Sequence, residues 1–225
     1  MKVSVVVPVY NEEAIIGKCL KAIFSQSEPA DEVILVDNNC TDNSMKIAKK
    51  YPVRIIKEKQ QGISYARNKG FDRAKYEIIA RTDSDVTVNP NWIERIKFNF
   101  KAQKIDALAG TVSFPNLIGS WGANLLFDLI KLAQGNRQSL FGLNMAISKT
   151  MWQKVRTHVI MDNKQVHEDL DLALWVWACG GKIILDKNLV AQSSSRRIVG
   201  NPYSFFVEYP RRTLATIAIP RKLSF

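Results

Sequence analysis

Two carboxylates one residue apart, Asp83 and Asp85, with Ser84 between them, follow the apolar run Ile78-Ile79-Ala80. The run reads as a buried strand, so the pair sits where that strand ends. In extended backbone, positions i and i+2 point to one side. Two like charges facing one spot repel unless something neutralises them, and a divalent cation does so well. A cation held there can hold a diphosphate in turn. The same residues also suit a solvated Asp-Ser-Asp turn, and the motif alone does not choose between the two. A second acidic cluster, Glu168-Asp169 with Asp171, precedes the apolar run Leu172 to Cys179. It opens a helix, where acidic residues favour the dipole whatever else they do.

The elements that must position these groups alternate. Val3 to Val7 is a β-branched strand ending at Pro8, and apolar residues at helical spacing follow Tyr10-Asn11-Glu12-Glu13, with Asn11 as the expected cap. Val33 to Val36 is a second strand ending at Asp37-Asn38-Asn39, with a helix from Asp42-Asn43-Ser44 through Lys50. Val53 to Ile56 is a third, and Gly62 opens a helix to about Arg73. Ile78 to Arg81 is the fourth, and a helix around Trp92, Ile93, Ile96 and Phe100 follows. Such alternation with short connections implies a parallel sheet wound with right-handed crossovers. The polar strand ends would then gather at one edge, where ligands bind in open α/β sheets. No Gly-x-Gly-x-x-Gly or Walker pattern is present.

The second half is less regular. Ala107 to Ser113 and Gly142 to Ile147 read as strands, Gly119 to Ala133 as an amphipathic helix, and Ile183 to Leu185 with Leu189 to Ala191 as a closing strand pair. A single domain, 1–225, is expected, with a ligand-binding half over about 1–105 and a second half over about 106–225.

A length of 225 residues is enough for a self-sufficient core. No apolar run reaches the roughly 20 residues of a membrane helix. The apolar start is too short for a signal peptide, so a cytoplasmic location is expected. Cys19, Cys40 and Cys179 are odd in number, far apart and without zinc spacing, which fits reduced thiols. The net charge of +11 favours anionic partners. Part of it lies late: Arg196, Arg197, Arg211, Arg212, Arg221 and Lys222 face Glu208 alone after residue 195. With Phe205, Phe206, Leu214, Ile217 and Ile219, this tail suggests peripheral contact with an anionic membrane face.

Six motifs in order, over about residues 3 to 180, resemble the family 2 glycosyltransferases of the GT-A fold. They are Val5-Val6-Val7-Pro8-Val9-Tyr10-Asn11-Glu12, Val36-Asp37-Asn38-Asn39-Cys40-Thr41-Asp42, Gly62-Ile63-Ser64-Tyr65-Ala66-Arg67-Asn68, Asp83-Ser84-Asp85, Gly142-Leu143-Asn144-Met145-Ala146 and Glu168-Asp169. The resemblance implies an α/β, Rossmann-like sheet flanked by helices. It implies an inverting transfer of a sugar from a nucleoside diphosphate, most commonly uridine, to an acceptor hydroxyl in glycan or glycolipid synthesis. Cell-envelope polysaccharide synthesis at the inner membrane face is the setting it suggests.

The family's roles carry over residue by residue. Pro8, Tyr10 and Glu12 would line the nucleotide pocket, Asp37 would bond the base, and Asp83 the base or ribose, with Ser84 beside it. Asp85 would hold the metal, Mg²⁺ or Mn²⁺, against the diphosphate. Arg67 would sit near the nucleotide. Asp169 would be the general base, while Asn144, Trp121 and Glu168 would meet the acceptor, a glycan or a lipid-linked sugar. Glu168→Gln and Asp171→Asn are expected to be milder than Asp169→Asn.

Two family features are missing. Neither histidine, His158 or His167, follows Asp169 to complete a metal site, and there is no Gln-x-x-Arg-Trp motif. Arg196 or Arg197 is the expected supplement to the cation, or else a solvated basic pair. A haloacid-dehalogenase-like phosphatase with Asp83 as nucleophile is a rival, but three strand-helix units precede the motif here. A basic nucleic-acid-binding module is another, but no recognition motif supports it, and no nucleic-acid partner is expected.

Overall fold

The computed structural model describes residues 1–113, 131–132, 135–162, 164–194 and 208–221. The helix expected over Gly119 to Ala133 lies almost wholly outside them, as does Trp121.

Eight described strands form one sheet: β1 (Val3–Val9), β2 (Glu32–Asp37), β3 (Arg54–Lys57), β4 (Ile78–Arg81), β5 (Val86–Val88), β6 (Ala107–Ser113), β7 (Met145–Ser148) and β8 (Ile183–Ser193). Their order is β3-β2-β1-β4-β7-β6-β8-β5. The first four are parallel, β7 runs antiparallel to both β4 and β6, β6 and β8 are parallel, and β5 is antiparallel to β8. The chain lays β2 and β3 on one side of β1, then returns to lay β4 on the other. Strand order therefore reverses between β1 and β4, the place where an open sheet leaves a crevice.

Alternation along β1 explains the two layers. Val3, Val5, Val7 and Val9 point into one core, and Val6 into the other. The first core is covered by α1 (Ile16–Phe24), whose Ile16, Cys19, Leu20 and Ile23 recur at helical spacing and are buried. The short α2 (Ser44–Ala48) and α4 (Trp92–Ala102) join it. The second core holds Phe71 of α3 (Ile63–Arg73), Trp152 of α5 (Lys149–Val155), and Trp175 and Val176 of α6 (Glu168–Ala178). A last helix, α7 (Tyr209–Ala218), packs on α6.

Three expectations are corrected. Asn11 is not the cap of α1: it sits in the left-handed region at φ 51°, and the helix starts five residues later. The stretch from Ile183 is one strand rather than a pair. Residues 187–189 are extra against β6 and make a bulge, at which Asn188 N–H donates to Asp186 Oδ1 at 2.9 Å, and parallel pairing to β6 resumes at Val190. The three-residue β5, directly after Asp85, was not foreseen and pairs with β8 through Val86 and Ser193.

Candidate functional site

Register brings the polar strand ends together. Val9 lies beside Asp37 across β1 and β2, and Val6 beside Arg81 across β1 and β4. The turn after β2 is built by its own side chains. Asp37 Oδ1 accepts from Cys40 N at 2.9 Å, and Asn39 is left-handed at φ 67°. Asn38 Oδ1 accepts from Gly62 N at 2.9 Å while its amide donates to the carbonyls of Glu58 and Gln60. Asn38 thus closes the loop that launches α3. Tyr10 stands open at 52% exposure, whereas Pro8 and Glu12 are buried. Glu12 N–H is held by Ser44 Oγ at 2.7 Å.

Asp83 and Asp85 follow β4 as expected. Thr82 Oγ1 donates to Leu143 O at 3.0 Å, tying this turn to the segment before β7. Both carboxylates act on the buried Cys19 thiol, whose Sγ lies 3.6 Å from Asp83 O; burial, then Asp85, then Asp83 push it far above its usual range. Asp85 is 7% exposed and accepts from Ser194 Oγ at 3.1 Å. Among the described residues no lysine or arginine pairs with it.

The residue that organises the site is Arg81, expected from the sequence only as a strand end. Its side chain is 1% exposed. Nη1 donates to Glu168 Oε1 at 2.7 Å and to Asp169 Oδ1 at 2.9 Å; Nη2 donates to Asp83 Oδ1 at 3.1 Å. One guanidinium therefore joins the Asp83 turn to the start of α6. Arg67, from α3, donates to both the carbonyl and the carboxylate of Glu168. Two arginines thus serve three carboxylates, and a buried charge needs such pairing.

Asp169 is gripped on both oxygens. Oδ2 accepts from Gly142 N at 2.7 Å, and Oδ1 from Arg81. Its side chain is 13% exposed, so part of the carboxylate can meet a ligand. Gly142 has to be a glycine: a Cβ there would lie 2.5 Å from Arg81 Nη1 and from Asp169 Oδ1. The two acids of the pair are driven apart. Burial raises Glu168, but Arg81 and Arg67 outweigh it and hold the carboxyl below its ordinary range. Burial, together with the Glu168 charge, lifts Asp169 well above its ordinary range, with Arg81 pulling the other way.

Several roles assigned from the sequence change. Asn144 is fully buried and commits its amide inward, donating to Thr111 O and Leu189 O and accepting from Trp92 Nε1, all at 2.8 Å. It is a strut of the sheet and presents nothing to an acceptor. Glu168 is likewise spent on the two arginines. Arg67 reaches the site through Glu168 and not as an open arginine beside a nucleotide. Asp171 is buried, accepting from Ile160 N at 2.7 Å and Arg221 Nη2 at 2.8 Å. Neither Glu168 nor Asp171 is then a mild position to alter. Arg196 and Arg197 lie outside the described residues. A cavity of about 460 Å³ lined by Met1, Glu28, Arg95, Phe98 and Lys101 lies elsewhere and involves none of these side chains.

The glycosyl transferase family 2 profile matches residues 4–156. Glycosyltransferase AglE of Haloferax volcanii is 32% identical over 168 residues, covering 71% of this chain and 54% of that protein. Cholesterol galactosyltransferase of Borreliella burgdorferi is 26% identical over 216 residues, covering 83% and 58%. The chain thus spans little more than half the length of these relatives. In structure it resembles S. aureus TarS 1–349 in complex with UDP-GlcNAc, with a TM-score of 0.70 at 18% identity over 86% of this chain and 58% of that one. It also resembles Mycobacterium tuberculosis glucosyl-3-phosphoglycerate synthase in complex with Mn²⁺, UDP-glucose and phosphoglyceric acid. There the TM-score is 0.71 at 17% identity, over 98% of this chain and 81% of that one. The fold is that of the GT-A glycosyltransferases. With a profile match over two thirds of its length, the chain belongs to glycosyl transferase family 2.

Proposed function

We propose that this chain transfers a sugar, with inversion, from a nucleoside diphosphate to an acceptor hydroxyl, using Asp169 as general base. The observation that carries the reading is the Arg81 bridge. It holds a carboxylate with a raised pKa at a fixed place relative to the strand end where Asp83 and Asp85 lie. Donor chemistry and base chemistry then share one guanidinium.

The residues fit a divalent cation at Asp85. The carboxylate is nearly buried, its hydrogen bond comes from a neutral hydroxyl, and no described cation offsets it. Mg²⁺ and Mn²⁺ sites of this kind use one or two carboxylates and complete themselves with phosphate oxygens and water. When bound, such an ion stabilises the charge that grows on the leaving diphosphate. Asp37, at the end of β2, is the proposed partner of the base, Asp83, after β4, that of the base or ribose, and Tyr10, after β1, lines the proposed nucleotide pocket.

The reaction is a single displacement. The acceptor oxygen forms its bond to the anomeric carbon as its proton passes to Asp169. The bond from that carbon to the diphosphate breaks, and its electron pair leaves with the nucleotide. A base with a raised pKa is the stronger proton acceptor, provided it is ionised at the working pH. Arg81 and Gly142 N–H fix the position and orientation of the carboxylate. UDP is the proposed nucleotide, and a glycan or lipid-linked sugar the proposed acceptor.

The outer face of α7 supports contact with an anionic membrane surface from the cytoplasmic side. Thr213 and Thr216 point inward, while Leu214 is 67% exposed beside exposed Ala215, Ala218 and Arg211. No described helix is long and apolar enough to cross a membrane. Co-sedimentation with anionic but not neutral vesicles at low salt is expected; equal recovery with both removes this part.

A phosphatase with Asp83 as nucleophile finds less support, because Asp83 Oδ1 is tied to Arg81. The test is a thermal-shift series with UDP-glucose, UDP-N-acetylglucosamine and GDP-mannose, each with Mn²⁺, Mg²⁺ or EDTA. A ligand that binds only the native state raises Tm by mass action. A metal-dependent rise with one donor is expected, and no rise with any donor rejects the reading.

A further inference from the structure

The helix that carries Asp169 does not cap itself. His167 precedes α6, and its side chain makes no cap hydrogen bond. The first turn of a helix leaves N–H groups unpaired and frays unless they find partners. Here the partner comes from α7, 49 residues away. His167 N–H donates to Thr216 Oγ1 at 2.7 Å, and that hydroxyl donates to Arg212 O at 2.6 Å, so its geometry is fixed. Thr216 is fully buried.

A second tie lies on the other side of Asp169. Asp171 is fully buried, and its Oδ1 accepts from Arg221 Nη2 at 2.8 Å. Arg221 Nη1 donates to the carbonyls of Thr216 and Ile219, both at 2.8 Å, which fastens the arginine to the end of α7. Its guanidinium also lies 6.0 Å from the Trp175 ring centre, on α6. The two ties grip residues 167 and 171, two before and two after the base.

We infer that α7 is a positioning element for the general base, with Thr216 and Arg221 as its positioning residues. The inference rests on Asp169 being that base. Arg81 and Gly142 hold the Asp169 carboxylate, while Thr216 and Arg221 hold the helix on either side of it, through His167 N–H and the Asp171 carboxylate. A displacement of about 1 Å at a reacting group can cost on the order of 100-fold in rate. The donor site, at the ends of β1, β2 and β4, has no part in these ties. Loosening α7 should therefore reduce turnover and spare donor binding.

The experiment uses the full chain and release of UDP from UDP-glucose or UDP-N-acetylglucosamine with Mn²⁺, beside calorimetric affinity for UDP and Mn²⁺. Thr216→Val keeps the shape and removes the acceptor for His167 N–H, and Thr216→Ser keeps the acceptor. Thr216→Val is expected to lower kcat about tenfold with UDP affinity within twofold, and Thr216→Ser to restore kcat. Arg221→Gln should repeat the kcat loss and stands in if Thr216→Val does not fold. A wild-type kcat in folded Thr216→Val and Arg221→Gln overturns the inference, as does a parallel loss of UDP affinity or failure of Thr216→Ser to restore turnover. Asp169→Asn is run alongside. If it keeps its turnover, the underlying reading fails and this one with it; if it is inactive while Thr216→Val is normal, only the positioning role fails.

Discussion

Replacing Arg81 with Met keeps much of the side-chain length and removes the charge. Arg81 is 1% exposed and its partners lie at 2.7, 2.9 and 3.1 Å. After substitution Glu168 still has Arg67, but Asp169 and Asp83 lose the one cation that pairs with them among the described residues. Breaking a buried ion pair from one side costs about 3–5 kcal/mol, because the remaining charge is left without compensation. Against a total stability of roughly 5–15 kcal/mol, that is a large fraction. With a urea slope of about 2–3 kcal/mol per molar, the unfolding midpoint should fall by about 1–2.5 M. The assay is urea denaturation followed by tryptophan fluorescence. Arg81→Met combined with Asp169→Asn neutralises one stranded carboxylate and should recover about 1 kcal/mol or more relative to Arg81→Met alone. A midpoint change below about 0.5 M, or a double variant no more stable than the single, refutes the claim that Arg81 compensates these charges.

Three more outcomes are expected. Asp85→Ala should abolish the metal dependence of UDP binding measured by calorimetry, because it removes the carboxylate proposed to bridge cation and diphosphate; unchanged affinity with and without Mn²⁺ argues against the site. Gly142→Ala should lower turnover at least tenfold with UDP affinity retained, since its Cβ would press on Arg81 and Asp169 at 2.5 Å, and normal kinetics would show that the cradle is slack. Burial, with Arg212 and Arg81, pushes His167 down to about 4 against the pull of Glu168. A histidine depressed in the folded state costs stability as pH falls from about 6.5 toward 4 and nothing above 7, so His167 should contribute a loss of about 1–3 kcal/mol in urea stability over that window, opposed by the raised Asp169, which gains stability as it binds its proton. His167→Gln should flatten the slope between pH 6.5 and 4.5, above the range where Glu168 titrates; an unchanged slope assigns it elsewhere.

The strand-helix alternation of the first half was legible because parallel strands buried on both faces read as continuous apolar runs, as in Val3–Val9 and Ile78–Arg81. The acidic strand ends were legible for the same reason, since polarity changes abruptly where the sheet stops. Arg81 was not. An arginine closing an apolar run looks like a boundary, and its partners lie 87 and 88 residues away. Asn144 entered as an acceptor contact only through the motif it shares with the family, and its three inward hydrogen bonds show a structural role that a motif does not carry. Asp171 looked like a spare acid at a helix start, yet Ile160 N and Arg221 enclose it. Helix α7 escaped notice because its buried stripe includes Thr213 and Thr216, while Leu214 and Ala215 face outward, which inverts the usual contrast.

The most direct test of the account is turnover of Asp169→Asn, read as UDP release from the nucleotide sugar that most raises Tm in the presence of Mn²⁺, beside calorimetric affinity for UDP. Asn keeps the size and can still accept from Gly142 N–H, but it cannot take a proton at neutral pH. Loss of a general base costs on the order of 10²- to 10⁴-fold. The account predicts a kcat reduced by that amount with UDP affinity within about threefold of wild type. Near-normal turnover, or a loss of UDP affinity that matches the loss of rate, contradicts Asp169 as the base.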